Sequence, residues 1–359
     1  MTDDNETLGL IGDAARSFVR QWGGPARVRG RLDQSLAFDR EEWNAVVEQG
    51  WLGLMVPEEK GGLGLSASAL TVLLEQLGDG LVMSPVLPGI ATAVLLASLD
   101  TTPADALLSD LMSGKSLILA ALPGDIEAPT LLPDAAGPSQ RGWLHDGHGA
   151  DAILLWDEET KQVGLVHRDS QEQATFRAAI DGGSVGMVTS RGFGVRDLVA
   201  SGPAALQAMA DARDIIGIGS AAMLLGCARR ALDISLAYLK TRQQFGVLIG
   251  SFQALQHRAA SLHVALASSQ SFLVETSACV DGPNRAAACA AVRARSADCA
   301  LQIVKEAVQF HGATGFADEH DAGLYFRRVV ALASWHGNAA QWRQDYFSHI
   351  TSAFAHTYA

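Results

Sequence analysis

A chain of 359 residues, 48% hydrophobic and only 18% charged, has the apolar content to bury two or three packed domains and too little charge for a disordered one. Its formal net charge of −12 excludes a dominant basic face for nucleic acid. The longest apolar run, residues 215–228, is shorter than the roughly 18 residues of a membrane span, and the acidic start MTDDNETLG has no signal-peptide core. A cytoplasmic protein without membrane insertion is expected, and the Ala-rich second half predicts small apolar surface buried between subunits.

The first third reads as helical. Leu8, Ile11, Ala15, Phe18 and Val19 recur at helical spacing. Asp39 and Glu42 have the pattern of a capping box ahead of Trp43, Val46 and Val47, and Gly50 closes that helix. The stretch WLGLMVPEEKGGLGLS (51–66) reads as a loop built on Pro57, Gly61, Gly62 and Gly64. No strand precedes its GGLGL, which is therefore not a dinucleotide fingerprint. Ser66 is placed to cap the next helix, whose Leu70, Leu73, Leu74 and Leu77 share a face.

The texture changes near Gly114. Pro123, Pro129, Pro133 and Pro138 exclude a helix. Short apolar runs at 116–122, 152–156, 163–167, 174–180 and 185–190, separated by Gly, Asp and Ser turns, read as strands of a small β domain. Helices resume with Ser201 as cap and Pro203 in the first turn, and Gly312 and Gly315 interrupt them once. The expected fold class is α+β: a helical domain over 1–115, a β domain over 116–200 and a helical bundle over 201–359.

Cys227, Cys279, Cys289 and Cys299 match no metal-ligand spacing and read as buried free thiols. His145, His148, His311 and His320 are equally unlike a metal set, so no metal is expected. Asp211 and Asp214 read as solvated helix carboxylates. Trp335 and Trp342 read as core or interface.

The most unusual stretch is TRQQFGVLIGSFQALQH (241–257), which places a cation, two rings and several amides at the join of two helices. A guanidinium is planar, permanently charged and a fork of donors, which suits a diphosphate. A Phe beside it can pack on an adenine, and amides can meet ribose and phosphate oxygens.

This stretch resembles the Arg-x-x-Phe-Gly signature of the acyl-CoA dehydrogenase family. EEWNAVVEQGWLGLMVPEEKGGLGLS (41–66) is similar to that family's N-terminal helix and Gly-rich loop, and AVQFHGATGF (307–316) to its Gln-x-x-Gly-x-x-Gly-Phe turn. The resemblance implies an N-terminal helical domain, a middle β domain and a C-terminal four-helix bundle. It also implies FAD and the dehydrogenation of an acyl-CoA at Cα–Cβ. By position, Arg242, Gln244, Phe245, Phe252 and Gln253, with Gln309 and Gly312, fill the places of a set that reaches across a subunit interface. In the family, that set clamps the ADP half of an FAD held by the neighbouring chain.

Two departures stand out. ALPGDIEAPT (121–130) replaces the Thr-Glu-Pro-x-x-Gly-Ser-Asp stretch, and Trp143, Leu144, His145 replace Trp-Ile-Thr. The base position before a Gly carries His336, and the alternative base position on the helix before the Arg-x-x-Phe turn carries Ile216. Neither is a carboxylate. The resemblance then implies a subunit of a heteromeric α2β2 acyl-CoA dehydrogenase that clamps a partner's FAD. That type tends to act on bulky acyl groups such as steroid side chains, with an electron-transferring flavoprotein as acceptor. The alternatives are a self-sufficient homotetramer using His336 as base, and a non-enzymatic scaffold on the same fold.

Overall fold

In the computed structural model, which describes residues 2–34, 36, 38–123, 140–157, 161–167, 174–190, 197–280, 282, 284–318 and 320–357, helices are followed by a sheet and then by helices. The first helices are α1 (Thr2–Trp22), α2 (Pro25–Leu32), α3 (Arg40–Glu48), α4 (Ala67–Asp79), α5 (Val86–Ala97) and α6 (Thr102–Met112). Strands β1 (Ile118–Pro123), β2 (Gln140–His145), β3 (Ala152–Asp157), β4 (Gln162–His167), β5 (Ala174–Ala178), β6 (Ser184–Ser190) and β7 (Leu198–Ser201) follow. Then come α7 (Pro203–Thr241), β8 (Gln243–Gln244), β9 (Val247–Leu248), α8 (Gln253–Ala278), α9 (Arg285–His311), α10 (Asp321–Ser334) and α11 (Ala339–Thr357).

The chain divides into two compact units. One comprises Arg31–Ser66 and Met83–Ile216; the other comprises Met1–Gly30, Ala67–Val82 and Gly217–Ala359. Helix α7 contributes residues to both.

The first unit is organised by a seven-stranded sheet of order β5-β6-β2-β1-β3-β4-β7. At its centre β1 and β3 run parallel, with Ile118 opposite Ala152. Residues 118–122 and 152–156 are buried without alternation, as expected of strands covered on both faces. The apolar helix α5 packs on β1, where the Thr92 hydroxyl accepts a hydrogen bond from the Ala120 N–H at 2.8 Å. Two strands, β2 and β7, are not marked by continuous apolar runs; pairing completes them, β2 against β6 and β7 against β4.

Two local expectations need correction. Asp39 caps α3, its Oδ1 accepting from Glu41 and Glu42 N–H at 3.0 Å, but Glu42 does not close the box. Its buried carboxylate accepts instead from Arg31 at 2.6 Å and from the Ser84 N–H at 3.0 Å. A tertiary ion pair outcompetes the local cap because Glu42 is inside the fold. Ser201 ends β7 rather than capping α7, and Gly202, with φ 83°, makes the turn into Pro203. The 51–66 loop is built as expected, with backbone bonds such as Leu63 N–H to Gly53 O and Gly64 N–H to Val56 O.

In the second unit α4 lies against α7 so closely that a Cβ on Gly226 would meet Glu75 O at 2.0 Å. Glycine is required there for backbone contact. Arg229 of α7 fastens the contact, donating to Glu75 at 2.6 Å and to Asp79, while Gln270 of α8 donates to the same Glu75 oxygen at 2.8 Å. Helix α9 is the centre of this unit and packs on α8, α10 and α11. Cys227, Cys289 and Cys299 are buried, but Cys279 is exposed because it falls at the end of α8, beyond the packed face. Trp335 and Trp342 are both core residues. By length and composition α7 is apolar enough to cross a membrane, because Ser, Gly and Ala interruptions barely lower its mean hydropathy. In this fold 89% of that window is buried inside the protein.

Candidate functional site

The stretch after α7 is a miniature hairpin. Gln243 pairs with Leu248 and Gln244 with Val247, and the two-residue turn is Phe245-Gly246. Both turn residues have positive φ, 55° and 79°, as a hairpin that matches strand twist requires. Asn or Gly is the usual first residue of such a turn; a Phe there carries about 1–2 kcal/mol of backbone strain. The Phe245 ring is also 91% exposed. It meets the ring of Phe252 edge-on at 6.3 Å, and Phe252 is itself exposed. The Ile249 N–H to Arg242 O bond, at 2.9 Å, closes the base of the hairpin.

Arg242 leaves the end of α7 with its guanidinium exposed and, among the described residues, without an ion pair. Helix α8 begins at Gln253 with no side-chain cap, so its first N–H groups and the positive end of its dipole are open beside Phe252. Gln244 and Gln253 are exposed on the same hairpin and helix start, and the Gln244 side-chain amide donates to Gln243 O at 2.8 Å.

Gln309 and Gly312 stand at the end of α9. Gly312 has φ 60° and ψ −137°, a conformation open to glycine and costly for any other residue. Gln309 is exposed and lines a cavity of about 400 Å³ with Lys305, Gly315, Asp318, His320 and Arg327. Two contacts bring this end of α9 to the start of α8. The Arg258 guanidinium sits 5.1 Å above the Phe310 ring and pairs with Glu306.

Position 336 is also well defined. His336 is buried and left-handed, with φ 51°, in the turn between α10 and α11. The fully buried Arg293 donates to Leu332 O at 2.6 Å and to Trp335 O at 3.4 Å. The Trp342 indole N–H donates to Gly337 O at 3.1 Å. Asn338 and Gln341 bond reciprocally and cap α11. Burial without a carboxylate pushes the Arg293 guanidinium down to about 9.

Ile216 is buried. Its neighbour Asp214 is buried too, contrary to the solvated reading, and desolvation outweighs the Arg213 charge to raise its carboxyl to about 7. Two residues along a helix is about 200° of rotation, so Asp214 does not share the Ile216 face. Residues 124–130, where the family's flavin-side motif would fall, lie outside the described residues. On β2, Leu144 is buried, and Asp146 just beyond it accepts from the Ser184 N–H at 3.1 Å, a structural use of the group. Among the described residues no group of His, Cys, Asp or Glu has metal-binding geometry.

Composition and spacing overlooked one cluster. His311, His320 and Tyr238 are far apart in the chain but meet in space, with His311–Tyr238 ring centroids 4.4 Å apart and His311–His320 4.2 Å apart. The available signal was positional: Tyr238 is one helical turn before Arg242, and His311 adjoins Gly312.

Residues 5–107 match the family model for the acyl-CoA dehydrogenase N-terminal domain, and residues 205–345 match that for its C-terminal domain. The chain belongs to the acyl-CoA dehydrogenase family. It is accordingly an oxidoreductase of the acyl-CoA dehydrogenase type, with FAD as cofactor. It is 29% identical over 94% of its length to the acyl-CoA dehydrogenase IpdE2 of Mycolicibacterium smegmatis, covering 94% of that protein. Its fold is that of a Tcur3481–Tcur3483 steroid ACAD variant (TM-score 0.84, 24% identity, 98% of this chain and 99% of that one). The ChsE4–ChsE5 complex of Mycobacterium tuberculosis is also similar in fold (TM-score 0.81, 22% identity, 96% and 97% coverage).

The site fits the ADP half of FAD. An exposed cation without an ion pair among the described residues, a helix start with no side-chain cap, exposed amides and two exposed rings supply what a diphosphate and an adenine need.

Proposed function

We propose that this acyl-CoA dehydrogenase chain is the clamping subunit of a heteromeric enzyme, binding the ADP half of an FAD whose flavin sits in a homologous partner. The observation that carries this reading is Phe245: a strained, almost wholly exposed ring in the turn that follows Arg242, whose guanidinium has no ion pair among the described residues. Strain of this kind persists where surrounding structure and function both demand it.

Bound FAD supplies the hydride acceptor for the Cβ hydrogen of the acyl-CoA. This chain's part is to bind and orient. Arg242 offsets the diphosphate charge, Phe245 and Phe252 pack on the adenine, and Gln244, Gln253, Gln309 and the backbone at Gly312 meet the remaining oxygens. The α-proton needs a base. His336 and Ile216 occupy the two family positions for it without a carboxylate, so the partner provides the base in this reading. A pocket freed of flavin beside the working one suits a bulky, ring-bearing acyl group such as a steroid side chain. An electron-transferring flavoprotein reoxidises the flavin.

Expressed alone, the chain is expected to retain little flavin; co-expressed with its partner, the complex is expected to carry about one FAD per two chains, consistent with a shared site. Full flavin loading and turnover by the lone chain overturn the reading.

A second reading is favoured by the His336 turn. A buried left-handed residue fixed on both sides by Arg293, Trp342 and the Asn338–Gln341 cap is a preorganised position. A neutral imidazole there is a competent base near neutral pH. In that case His336→Ala abolishes bleaching of the flavin by substrate, and unchanged bleaching rejects His336 as base.

A further inference from the structure

Resting on the clamp reading, we infer that His311 is a positioning residue for nucleotide binding, which in its neutral form locks the Arg242 hairpin to the Gln309–Gly312 turn. Three segments meet at its ring. Tyr238 stacks on it from α7, one turn before Arg242, whose N–H bonds Tyr238 O at 2.9 Å. His320 also packs against it at 4.2 Å, caps α10 by accepting from the Ala322 N–H at 3.2 Å, and lines the cavity that Gln309 also lines. His311 itself is the residue before Gly312.

The protonation state of this ring follows from its contacts. His311 Nδ1 lies 2.7 Å from Ala307 O. A carbonyl only accepts, so Nδ1 carries the hydrogen and Nε2 is a bare lone pair. That Nε2 is buried and has no hydrogen-bond partner. Protonating it places an N–H with no acceptor in a site of low polarity, next to a second imidazole. Burial accordingly pushes the His311 imidazole below its ordinary value; the Ala307 bond opposes this and the nearby His320 adds to it.

The other groups around the ring do not supply a counter-charge. Tyr238 from α7 presents its ring, and His320 stands at the start of α10. Among the cavity residues, Asp318 is paired with Arg327 at 2.9 Å, and Lys305 adds positive charge. On the α8 side Glu306 is held by Arg258. Acid therefore charges His311 at the cost of the stack, and the two halves of the clamp lose their common support.

The test uses the co-purified complex and reads FAD retained after gel filtration and FAD affinity by released-flavin fluorescence, from pH about 8 to about 5.5, the range in which His titrates. Wild type is expected to lose affinity as pH falls, with a slope of at most about tenfold per pH unit, since a single linked proton governs the loss. His311→Phe, which keeps a ring but cannot titrate and loses the bond to Ala307 O, is expected to bind FAD more weakly than wild type at the alkaline end and to give a flat pH profile. A His311→Phe profile that falls like wild type overturns the inference. If that variant does not fold, His320→Asn keeps an acceptor for Ala322 while removing the neighbouring imidazole, and is expected to move the midpoint to higher pH; an unmoved midpoint counts against the stack. Arg242→Ala separates the two claims. If it leaves FAD affinity intact the clamp reading fails, and this inference with it; if it weakens binding while His311→Phe still titrates, only the role of His311 is rejected.

Discussion

The guanidinium of Arg258 lies 5.1 Å over the ring of Phe310 and pairs with Glu306, joining the first turns of α8 to the last turn of α9. Gln253 and Gln309, distant in sequence, are thereby held on neighbouring helix ends. Arg258→Ala is expected to lower unfolding free energy by about 1 kcal/mol, the sum of a partly exposed cation–π contact and a partly exposed ion pair. Urea denaturation measures it. The same variant is expected to weaken FAD retention in the complex, whereas a surface substitution on α1 is not.

Phe245 separates strain from binding. Phe245→Gly removes the left-handed penalty and is expected to leave stability unchanged or raise it by up to about 1 kcal/mol. FAD affinity is expected to fall. Thermal melting and flavin titration on the same preparation give both signs, and a variant that loses stability while binding normally contradicts the account of the hairpin.

Arg242 is expected to contribute through a fork of charged hydrogen bonds, worth about 1.5–3 kcal/mol, so Arg242→Ala weakens FAD binding by about 10- to 100-fold. Arg242→Lys keeps the charge but not the fork and is expected to recover only part of it. Equilibrium dialysis of the complex distinguishes the three proteins.

Asp214 gives a pH prediction with a definite sign. Burial raises its carboxyl from 3.8 to about 7, so the folded protein holds a proton there that the unfolded chain releases near 3.8. Its contribution to stability is present below that value and is lost as pH rises toward about 7. Asp214→Asn is expected to flatten this slope and to be more stable than wild type at pH about 8. Urea midpoints across the range check it.

Much of the fold was legible because it rests on periodicity and punctuation. The Asp39 cap, the Gly50 stop and the 152–156 and 163–167 strands are local features, and the structure has them where local chemistry puts them. What was not legible depends on partners distant in sequence. Glu42 bonds Arg31 and Ser84 in place of its capping box, Asp214 reads as a surface acid but is enclosed by the fold, and β7 exists because β4 offers it a pairing edge. The candidate clamp residues are proposed from two short contiguous motifs, 241–257 and 307–316. The ring stack beneath them is not, since Tyr238, His311 and His320 belong to three segments that only tertiary structure assembles.

The most direct test is a structure of the co-purified complex with FAD bound. The account predicts the Arg242 guanidinium in hydrogen-bond contact with the diphosphate of an FAD whose isoalloxazine is seated in the partner. A flavin seated wholly within this chain, or Arg242 remote from any nucleotide, contradicts it.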